Sequence, residues 1–169
     1  MILKKKFKIG KKFIGGKHRC LIVAEISANH NKNFNLIKRL IKTAKKSGAD
    51  MIKVQTYTAD TLTIKSKKKD FKIKKNNSWS KDKYLWNLYK KAETSKKLTS
   101  KIFNYSRSLG IDIFSSPFDI DAVDFLEKLR CPAYKIASPE ITHIPLIERV
   151  AETKKPIILS LGLAKKKRY

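Results

Sequence analysis

Cysteine is scarce in this 169-residue chain, and the two cysteines present, Cys20 and Cys131, lie far apart. Neither belongs to a CxxC pair, so the sequence indicates neither a disulfide framework nor a thiolate zinc site. Long apolar stretches are lacking too, since no run reaches the roughly 18 residues that a membrane span requires. The basic N-terminus also has no continuous apolar segment of the kind found in secretory signals. These absences favour a soluble, cytoplasmic protein.

Acidic residues are few as well: 14 Asp and Glu stand against 40 Lys and Arg, which gives a formal charge of +26. Such an excess attracts polyanions through counterion release, so we considered a nucleic-acid partner. Only 6 of the basic residues are arginine, the side chain best suited to bidentate contacts with phosphates and base edges. The lysines are spread along the chain, and their densest cluster is at residues 65–75. We therefore favour a solvated basic surface over a specific nucleic-acid interface.

The chain does contain a repeated alternation of strand and helix patterns. Residues 7–14 alternate apolar and basic side chains around Gly10, which predicts a short β-hairpin. The apolar runs typical of buried parallel strands follow at residues 20–26, 51–57, 111–118, 133–138 and 156–162. Apolar residues at helical spacing separate most of these runs. Residues 58–97 are the exception, a long polar segment that we expect to be a loop insertion and a flap near a substrate.

Repeated β/α units imply a parallel sheet, either an open doubly wound sheet or a (β/α)8 barrel. No GxGxxG or GxxxxGK[ST] motif follows the first strand pattern, which disfavours a nucleotide-binding open sheet. Polar residues instead gather where the strand patterns end, as they do in barrel active sites. A complete barrel needs about 250 residues. The sequence therefore predicts an α/β fold of the TIM-barrel type, truncated to about the first five β/α units, with an N-terminal hairpin over residues 1–16.

Ionic or amide side chains interrupt the apolar strand patterns at Glu25, Lys53, Gln55, Lys135 and Glu140. A charge inside a buried strand is unfavourable unless it is paired or bound to a ligand. One interpretation is a structural Lys–Glu pair. The other is an anion site in which Lys53 and Lys135, placed at matching depths on two strands, contact a phosphate or carboxylate. Hydroxyl donors for such an anion recur at the ends of three successive strands, at Ser116, Ser138 and Ser160.

The histidines give less indication of chemistry. His30 directly follows the first strand pattern, where it could contact a substrate or cap the next helix, and the sequence leaves both roles open. No HxxxH or other ligand spacing is present, so no metal site can be assembled from this chain alone.

Several motifs, in this order and at this spacing, resemble the sialic acid synthase family. They are IVAEISANHN (22–31), IKVQTYTADTLT (52–63), FSSPFD (114–119), PAYKIASPEIT (132–142) and PLI…KPIILSLG (145–162). Within that family they are most similar to pseudaminic acid synthases, and the similarity runs from about residue 5 to residue 164. One departure is the sequence Ser160-Leu161-Gly162-Leu163, where the family usually has Ser-Thr-Gly-Met and therefore one more hydroxyl.

The resemblance implies a phosphoenolpyruvate-condensing barrel over residues 1–169 and a small antifreeze-like domain beyond the end of this chain. It implies that Lys53 and Lys135 bind the phosphoenolpyruvate anion, assisted by Ser138 and Ser160, with Ser116 lining the same mouth. The basic tail AKKKRY, in which the family pattern stops, suggests an incomplete or split chain. We therefore expect these residues alone not to catalyse the synthase reaction.

The same resemblance assigns the sugar end of the site. Glu25 would face the sugar aldehyde, while Gln55 and Glu140 would hold sugar and water near a divalent metal, Mn or Mg. The metal histidines of the family come from late barrel strands that this chain does not contain. The full-length family also implies a homodimer, or for this chain a complementing second chain.

The reaction implied is the condensation of phosphoenolpyruvate with a 2,4-diacetamido-2,4,6-trideoxyhexose to give a nonulosonic acid. One alternative is a fragment of an N-acetylneuraminate or legionaminate synthase. Alternatives from another class are a non-catalytic, basic polyanion-binding protein and an inactive fragment.

Overall fold

The computed structural model describes residues 6–164 and contains an antiparallel hairpin followed by a five-stranded parallel sheet. The strands are β1 (Phe7–Ile9), β2 (Lys12–Ile14), β3 (Val23–Glu25), β4 (Met51–Thr56), β5 (Asp112–Pro117), β6 (Tyr134–Ile136) and β7 (Ile157–Leu159). The sheet order is β3-β4-β5-β6-β7, with every neighbouring pair parallel. This sequential order confirms the expected partial barrel with an N-terminal hairpin. Residues 1–5 of the expected hairpin segment and the tail 165–169 lie outside the described residues.

Helices connect the strands and pack against the sheet. They are α1 (Phe34–Lys46), α2 (Ala59–Leu62), α3 (Leu85–Ala92), α4 (Lys96–Ser108), α5 (Ile120–Lys128) and α6 (Ile144–Glu152). Asn33 caps the helix α1, its side chain accepting hydrogen bonds from the backbone N–H groups of Asn35 and Leu36. None of the helices within residues 6–164 is long and apolar enough to cross a bilayer.

The apolar core lies between the central strands and the helices. The residues Ile52 and Val54 of β4 are buried against the sheet's helical layer, together with Ile37 and Ile41 of α1. The outer strands are less covered: Val23 of β3, together with Ile157 and Leu159 of β7, is exposed. Each outer strand pairs on one side only within the described part of the chain, which leaves two open edges.

The structure corrects in part the expectation of a loop over residues 58–97. The segment contains α2, α3 and two 3-10 turns, Lys69–Phe71 and Ser80–Asp82. The indole N–H of Trp86 donates to Asp60 Oδ1 at 2.8 Å, and Lys65 Nζ lies 4.6 Å from the centre of the Trp86 ring. These contacts hold helix α3 against the start of the segment. A helix of eight residues depends on such tertiary packing, which the sequence pattern alone does not reveal.

The hairpin packs under the N-terminal ends of the central strands. Ile9 is buried in the core, and Gly10 turns the chain with a φ of +56°. The backbone N–H of Lys11 donates to Asp112 Oδ2 at 2.6 Å. A Cβ atom at Gly10 would lie 2.5 Å from the same oxygen, so this turn requires glycine for both its conformation and its close approach.

A buried carboxylate at the same end joins the hairpin to the sheet. Asp50, directly before β4, accepts hydrogen bonds from both terminal nitrogens of Arg19, at 3.0 and 2.5 Å. It also accepts from the backbone N–H of Ile22 at 2.9 Å and forms an ion pair with Lys12 at 3.4 Å. The Ile22 hydrogen bond is the largest cause that lowers the pKa of Asp50, and the neighbouring cations act in the same direction.

Candidate functional site

Strand register brings the predicted polar residues to one face of the sheet. Glu25 of β3 pairs with Lys53 of β4, and Gln55 of β4 pairs with Ser116 of β5. Paired residues of parallel strands point to the same face, and so do residues two apart on one strand. The four side chains therefore share the face opposite to Ile52 and Val54.

Lys135 joins the same face from the fourth strand of the sheet. Because Ser115 pairs with Tyr134, Lys135 lies beside Ser116. Lys135 therefore lies level with Gln55, two residues further along the sheet than Lys53, and two strands away from it. A barrel with a shear of about eight over eight strands shifts the register by about one residue per strand, which gives this offset. We call Glu25, Lys53, Gln55, Ser116 and Lys135 the lysine cluster.

The electrostatics of Lys135 reflect this arrangement. Burial lowers the pKa of Lys135, and the positive charge of Lys53 lowers it further, while the carboxylates of Glu25 and Glu140 oppose both effects. Two cations held together in a partly buried site are unfavourable unless an anion compensates them. The cluster is therefore electrostatically suited to an anionic ligand.

The structural Lys–Glu pair that the sequence left open is present for one lysine. Lys53, whose side chain is 12% exposed, forms an ion pair with Glu25. The backbone N–H of Ser27 donates to the other oxygen of Glu25 at 2.9 Å, and the Ser27 hydroxyl donates to Gln55 Oε1 at 3.0 Å. Within residues 6–164, Lys135 has no carboxylate at salt-bridge distance. Glu25 thus pairs directly with Lys53, and it acts on Lys135 only through its longer-range charge.

Glu140 lies on the 3-10 turn Ser138–Thr142 that follows β6. One of its carboxylate oxygens is buried and has no hydrogen-bond partner among the described residues. Burial raises the pKa of Glu140, and the charge of Lys135 opposes the shift. The side chain lines a cavity of about 270 Å³, the strand-end cavity, together with Gln55, Tyr57 and Tyr89. The raised pKa makes this carboxyl group easier to protonate than an ordinary glutamate, which suits a proton donor.

The three predicted serines have different surroundings. The Ser116 hydroxyl is buried and has no partner in the described part of the chain, so it is available to a ligand. The Ser138 hydroxyl accepts a hydrogen bond from the backbone N–H of Leu163 at 2.8 Å, and its own hydrogen remains free to donate. The backbone N–H of Ser160 donates to the carbonyl of Ile136 at 3.2 Å, which extends the pairing of β6 and β7.

His30 is a structural residue. It is 1% exposed, and its Nδ1 accepts a hydrogen bond from the backbone N–H of Lys32 at 3.0 Å. Its Nε2 lies 3.4 Å from the hydroxyl of Thr94, ahead of α4. Burial lowers the pKa of His30, which favours the neutral ring. The helix cap considered for His30 is instead Asn33.

A larger cavity, which the sequence did not predict, lies at the same end of the sheet. It has a volume of about 640 Å³ and lies between residues 27–31, after β3, and the segment that carries α3. Tyr57, Trp79 and Tyr89 line it, with Asn29 and Asn31. The aromatic residues of the segment 58–97 were a partial signal. Their meeting with the loop after β3 could not be read from local pattern.

A cluster of three or more His, Cys, Asp or Glu side chains that could hold a metal ion does not occur among residues 6–164. The described residues therefore do not fit a divalent-metal site by themselves.

The fold and the strand-end geometry define the class as an α/β-barrel protein with a basic, partly buried cluster at the carboxyl ends of its strands. The chain belongs to the NeuB family, whose model matches residues 40–168. The family resemblance expected from the motifs is thereby confirmed.

Known relatives agree with this assignment. The chain is 49% identical to the pseudaminic acid synthase of Helicobacter pylori over 143 residues, which are 85% of this chain and 42% of that protein. It is 35% identical to the N,N'-diacetyllegionaminic acid synthase of Campylobacter jejuni over 147 residues, 86% of this chain and 43% of that protein. The crystal structure of an N-acetylneuraminic acid synthetase from Leptospira borgpetersenii superimposes with a TM-score of 0.80 at 29% identity, covering 96% of this chain and 52% of that one. The chain thus spans less than half the length of the curated relatives that it matches.

Proposed function

We propose that this chain supplies the N-terminal part of a synthase that condenses phosphoenolpyruvate with a 2,4-diacetamido-2,4,6-trideoxyhexose to form a nonulosonic acid of the pseudaminic type. The observation that carries the proposal is the lysine cluster, in which Lys53 and Lys135 share one face of the sheet and only Lys53 has a carboxylate at salt-bridge distance among the described residues. The higher identity to a pseudaminic than to a legionaminic acid synthase, 49% against 35%, favours the pseudaminic branch.

Phosphoenolpyruvate is a small molecule with a carboxylate and a phosphate, so it needs several positive charges and hydroxyl donors. Lys53 and Lys135 would hold these groups, and the unpartnered Ser116 hydroxyl would donate to one of them. Ser138 and Ser160 would complete the contacts from the ends of β6 and β7. Because the lysines are partly buried, each contact is stronger than it would be in bulk water.

The proposed reaction joins two carbons and releases phosphate. The methylene carbon of phosphoenolpyruvate attacks the aldehyde carbon, and the carbonyl electron pair moves to the aldehyde oxygen, which takes up a proton. Water then adds to the cationic C2 carbon with loss of a proton. The bond between C2 and the phosphate oxygen breaks, which leaves a ketone and inorganic phosphate.

The carboxylates would act at the sugar end. Glu25, fixed by Lys53 and Ser27, would accept hydrogen bonds from the sugar near its aldehyde. Glu140 retains a proton more readily than an ordinary glutamate, so it would donate to the aldehyde oxygen as charge develops there. Gln55 would orient the sugar through its free amide N–H groups, since its oxygen already accepts from Ser27. No step is assigned to a divalent metal, since residues 6–164 do not assemble a ligand set for one.

A binding protein for polyanions is the alternative from another class, and the charge of +26 favours it. The two functions differ in their salt dependence. A polyanion-binding surface would retain the chain on heparin with an affinity that falls linearly in log salt, without binding phosphoenolpyruvate. The cytoplasmic location, the homodimer and the complementing second chain expected from the sequence remain predictions, open to fractionation and co-purification.

The test uses a chimera, because the sheet formed within residues 6–164 has two open edges and we expect no turnover from this chain alone. Residues 1–164 replace the matching part of the Helicobacter pylori pseudaminic acid synthase, and released phosphate is measured with both substrates and Mn or Mg. We expect phosphate release from the chimera, and none from the chimera carrying Lys135→Met or from the 169-residue chain. An inactive, folded chimera would refute the proposal.

A further inference from the structure

The cavity of about 640 Å³ beside the strand-end cavity differs from the lysine cluster in charge. We call it the aromatic cavity, lined by Asn29, Asn31, Tyr57, Trp79 and Tyr89. Its charged lining residues are Asp82 and Lys91, and these two form an ion pair with each other at 3.6 Å. Although the chain has an excess of 26 positive charges, the charged residues that line this cavity sum to zero. The cavity therefore suits a neutral ligand and not phosphoenolpyruvate.

The side chains of the aromatic cavity match an acylated sugar. Trp79 leaves 59% of its surface exposed, although it is among the largest apolar side chains of the protein. Such a ring can pack against methyl groups and the apolar face of a sugar. Asn29 and Asn31 each carry a carbonyl oxygen and an NH2 group, which can pair with the C=O and N–H of an acetamido group. Apolar walls with a few amide groups are typical of small-molecule pockets, and the volume lies in their usual range.

A pair of tyrosines forms a wall common to the two cavities. Tyr57 and Tyr89 line both cavities, and their rings meet edge to face with centroids 6.3 Å apart. A ligand whose reactive end lies near Gln55 and Glu140 would have to pass these rings to reach Trp79.

The loop that forms one wall has an uncommon backbone conformation. Ser27, Asn31 and Lys32 have φ angles of +48°, +46° and +59°, the left-handed region that non-glycine residues seldom adopt. The buried ring of His30 supports this conformation through its hydrogen bond to the backbone of Lys32. A strained loop held by a buried side chain is a preformed binding surface, which reduces the entropy lost on binding.

We propose that the aromatic cavity receives the distal acetamido group and the deoxy carbon of a diacetamido sugar, and so selects this sugar over those with one acetamido group. The inference rests on the proposed function, because the aldehyde of the same sugar must lie in the strand-end cavity. Trp79 is the specificity-determining residue.

The test exploits the fact that the chain contains only two tryptophans, Trp79 and Trp86. In Trp86→Phe, Trp79 is the sole indole fluorophore. In the matched control Trp79→Phe, the remaining indole is that of Trp86, which donates to Asp60 and lines a different cavity. Both variants are titrated with the 2,4-diacetamido-2,4,6-trideoxyhexose and with N-acetylmannosamine, in saturating phosphoenolpyruvate whose binding is measured separately by calorimetry.

We expect a saturable change of Trp79 fluorescence in Trp86→Phe and none in Trp79→Phe. Half-saturation by N-acetylmannosamine should require about tenfold more sugar, the order that one lost aromatic contact gives. Equal half-saturation by the two sugars, or equal responses of the two variants, would overturn the inference. If the sugar does not change the fluorescence of Trp79 while phosphoenolpyruvate binds, the inference fails and the proposed function stands. If neither ligand binds, both fall.

Discussion

At the N-terminal ends of the parallel strands, the buried carboxylate of Asp50 receives hydrogen bonds from Arg19 and Ile22 and an ion pair from Lys12. At the carboxyl ends of the same strands, the buried oxygens of Ser116 and Glu140 have no partner among the described residues. The two ends of each strand are close in sequence, because the strands have only three to six residues.

This contrast separates stability from function. A buried polar group without a partner costs about 1–3 kcal/mol, so proteins retain such groups where a ligand completes them. The N-terminal end, where the hydrogen bonds of Asp50 are satisfied and which the hairpin covers, is called the satisfied end, and the carboxyl end with Ser116 and Glu140 is called the unsatisfied end. The satisfied end should contribute stability and no binding. The unsatisfied end should contribute binding at the expense of stability. Substitutions at the two ends should therefore have separable effects.

The largest expected effect is at the unsatisfied end. Lys53→Met and Lys135→Met should each weaken phosphoenolpyruvate binding about a hundredfold, since each removes charged hydrogen bonds worth about 1.5–3 kcal/mol. Neither should lower the free energy of unfolding by a comparable amount. Isothermal titration calorimetry and urea denaturation measure the two quantities. The control Lys42→Met, on an exposed site of α1, removes the same charge and should leave binding unchanged. Equal losses in all three variants would show that only overall charge matters.

At the satisfied end, Asp50→Ala should destabilise the chain by about 2–3 kcal/mol, because it leaves the N–H of Ile22 and the guanidinium of Arg19 without their acceptor. Phosphoenolpyruvate affinity should not change in the folded fraction. A stability loss below about 0.5 kcal/mol, or a loss of affinity in its place, would contradict the division between the two ends.

Gly10→Ala should destabilise the chain by about 1–2 kcal/mol through its positive φ alone, and the close approach to Asp112 adds to this. Gly16 offers a matched control, since it also has a positive φ but a Cβ there meets no atom within 4 Å. Urea denaturation should show the larger loss for Gly10→Ala. Equal losses would mean that the contact with Asp112 is unimportant.

The pH dependence of stability should have opposite signs at the two ends. The folded pKa of Asp50 is lowered, so its stabilisation is present at neutral pH and is lost as the pH falls through the lowered value. The stability deficit of Asp50→Asn should therefore shrink below about pH 4. The folded pKa of Glu140 is raised, so ionisation costs stability as the pH rises through the raised value. Relative to the unsubstituted chain, Glu140→Gln should therefore become more stable as the pH rises through that value. Parallel pH profiles of the two variants would refute this.

The smallest effect is expected for Ser116→Ala. Removing a buried hydroxyl without a partner should leave the free energy of unfolding unchanged or slightly raised. It should weaken phosphoenolpyruvate binding only severalfold, about the contribution of one neutral hydrogen bond. Ser115→Ala is the matched control, because the Ser115 hydroxyl is already bonded to Thr56 at 2.8 Å. That variant should lose stability and retain affinity.

The sequence predicted what depends on local pattern. Alternation and β/α periodicity were enough to predict the hairpin and the parallel strands. The common face of Lys53 and Lys135 was expected too, but it depends on the register between strands, which only the structure supplies. The observed strands are shorter than the predicted ones. For example, β3 covers Val23–Glu25 within the expected 20–26, because an outer strand has only one neighbour within the described residues.

What escaped prediction depends on contacts between distant segments. Asp50 acts through Arg19, which is 31 residues away, and nothing in the local pattern around Asp50 indicates this pair. The buried ring of His30 contacts Thr94, 64 residues further on. The aromatic cavity likewise needs the loop after β3 and the segment around Trp79 to meet. Each of these features arises only when the segments fold against one another.

The most direct test of the central claim follows the lysine side chains themselves. The side-chain ammonium groups are observed by NMR in the 15N-labelled chain during titration with phosphoenolpyruvate, with Lys53 and Lys135 assigned through Lys53→Arg and Lys135→Arg. Among the 34 lysines of the sequence, we expect saturable shifts at Lys53 and Lys135 that persist, with a weaker midpoint, when salt is raised at constant pH. Shifts spread over the surface lysines, with those of residues 65–75 as large as any and all abolished by salt, would contradict the central claim.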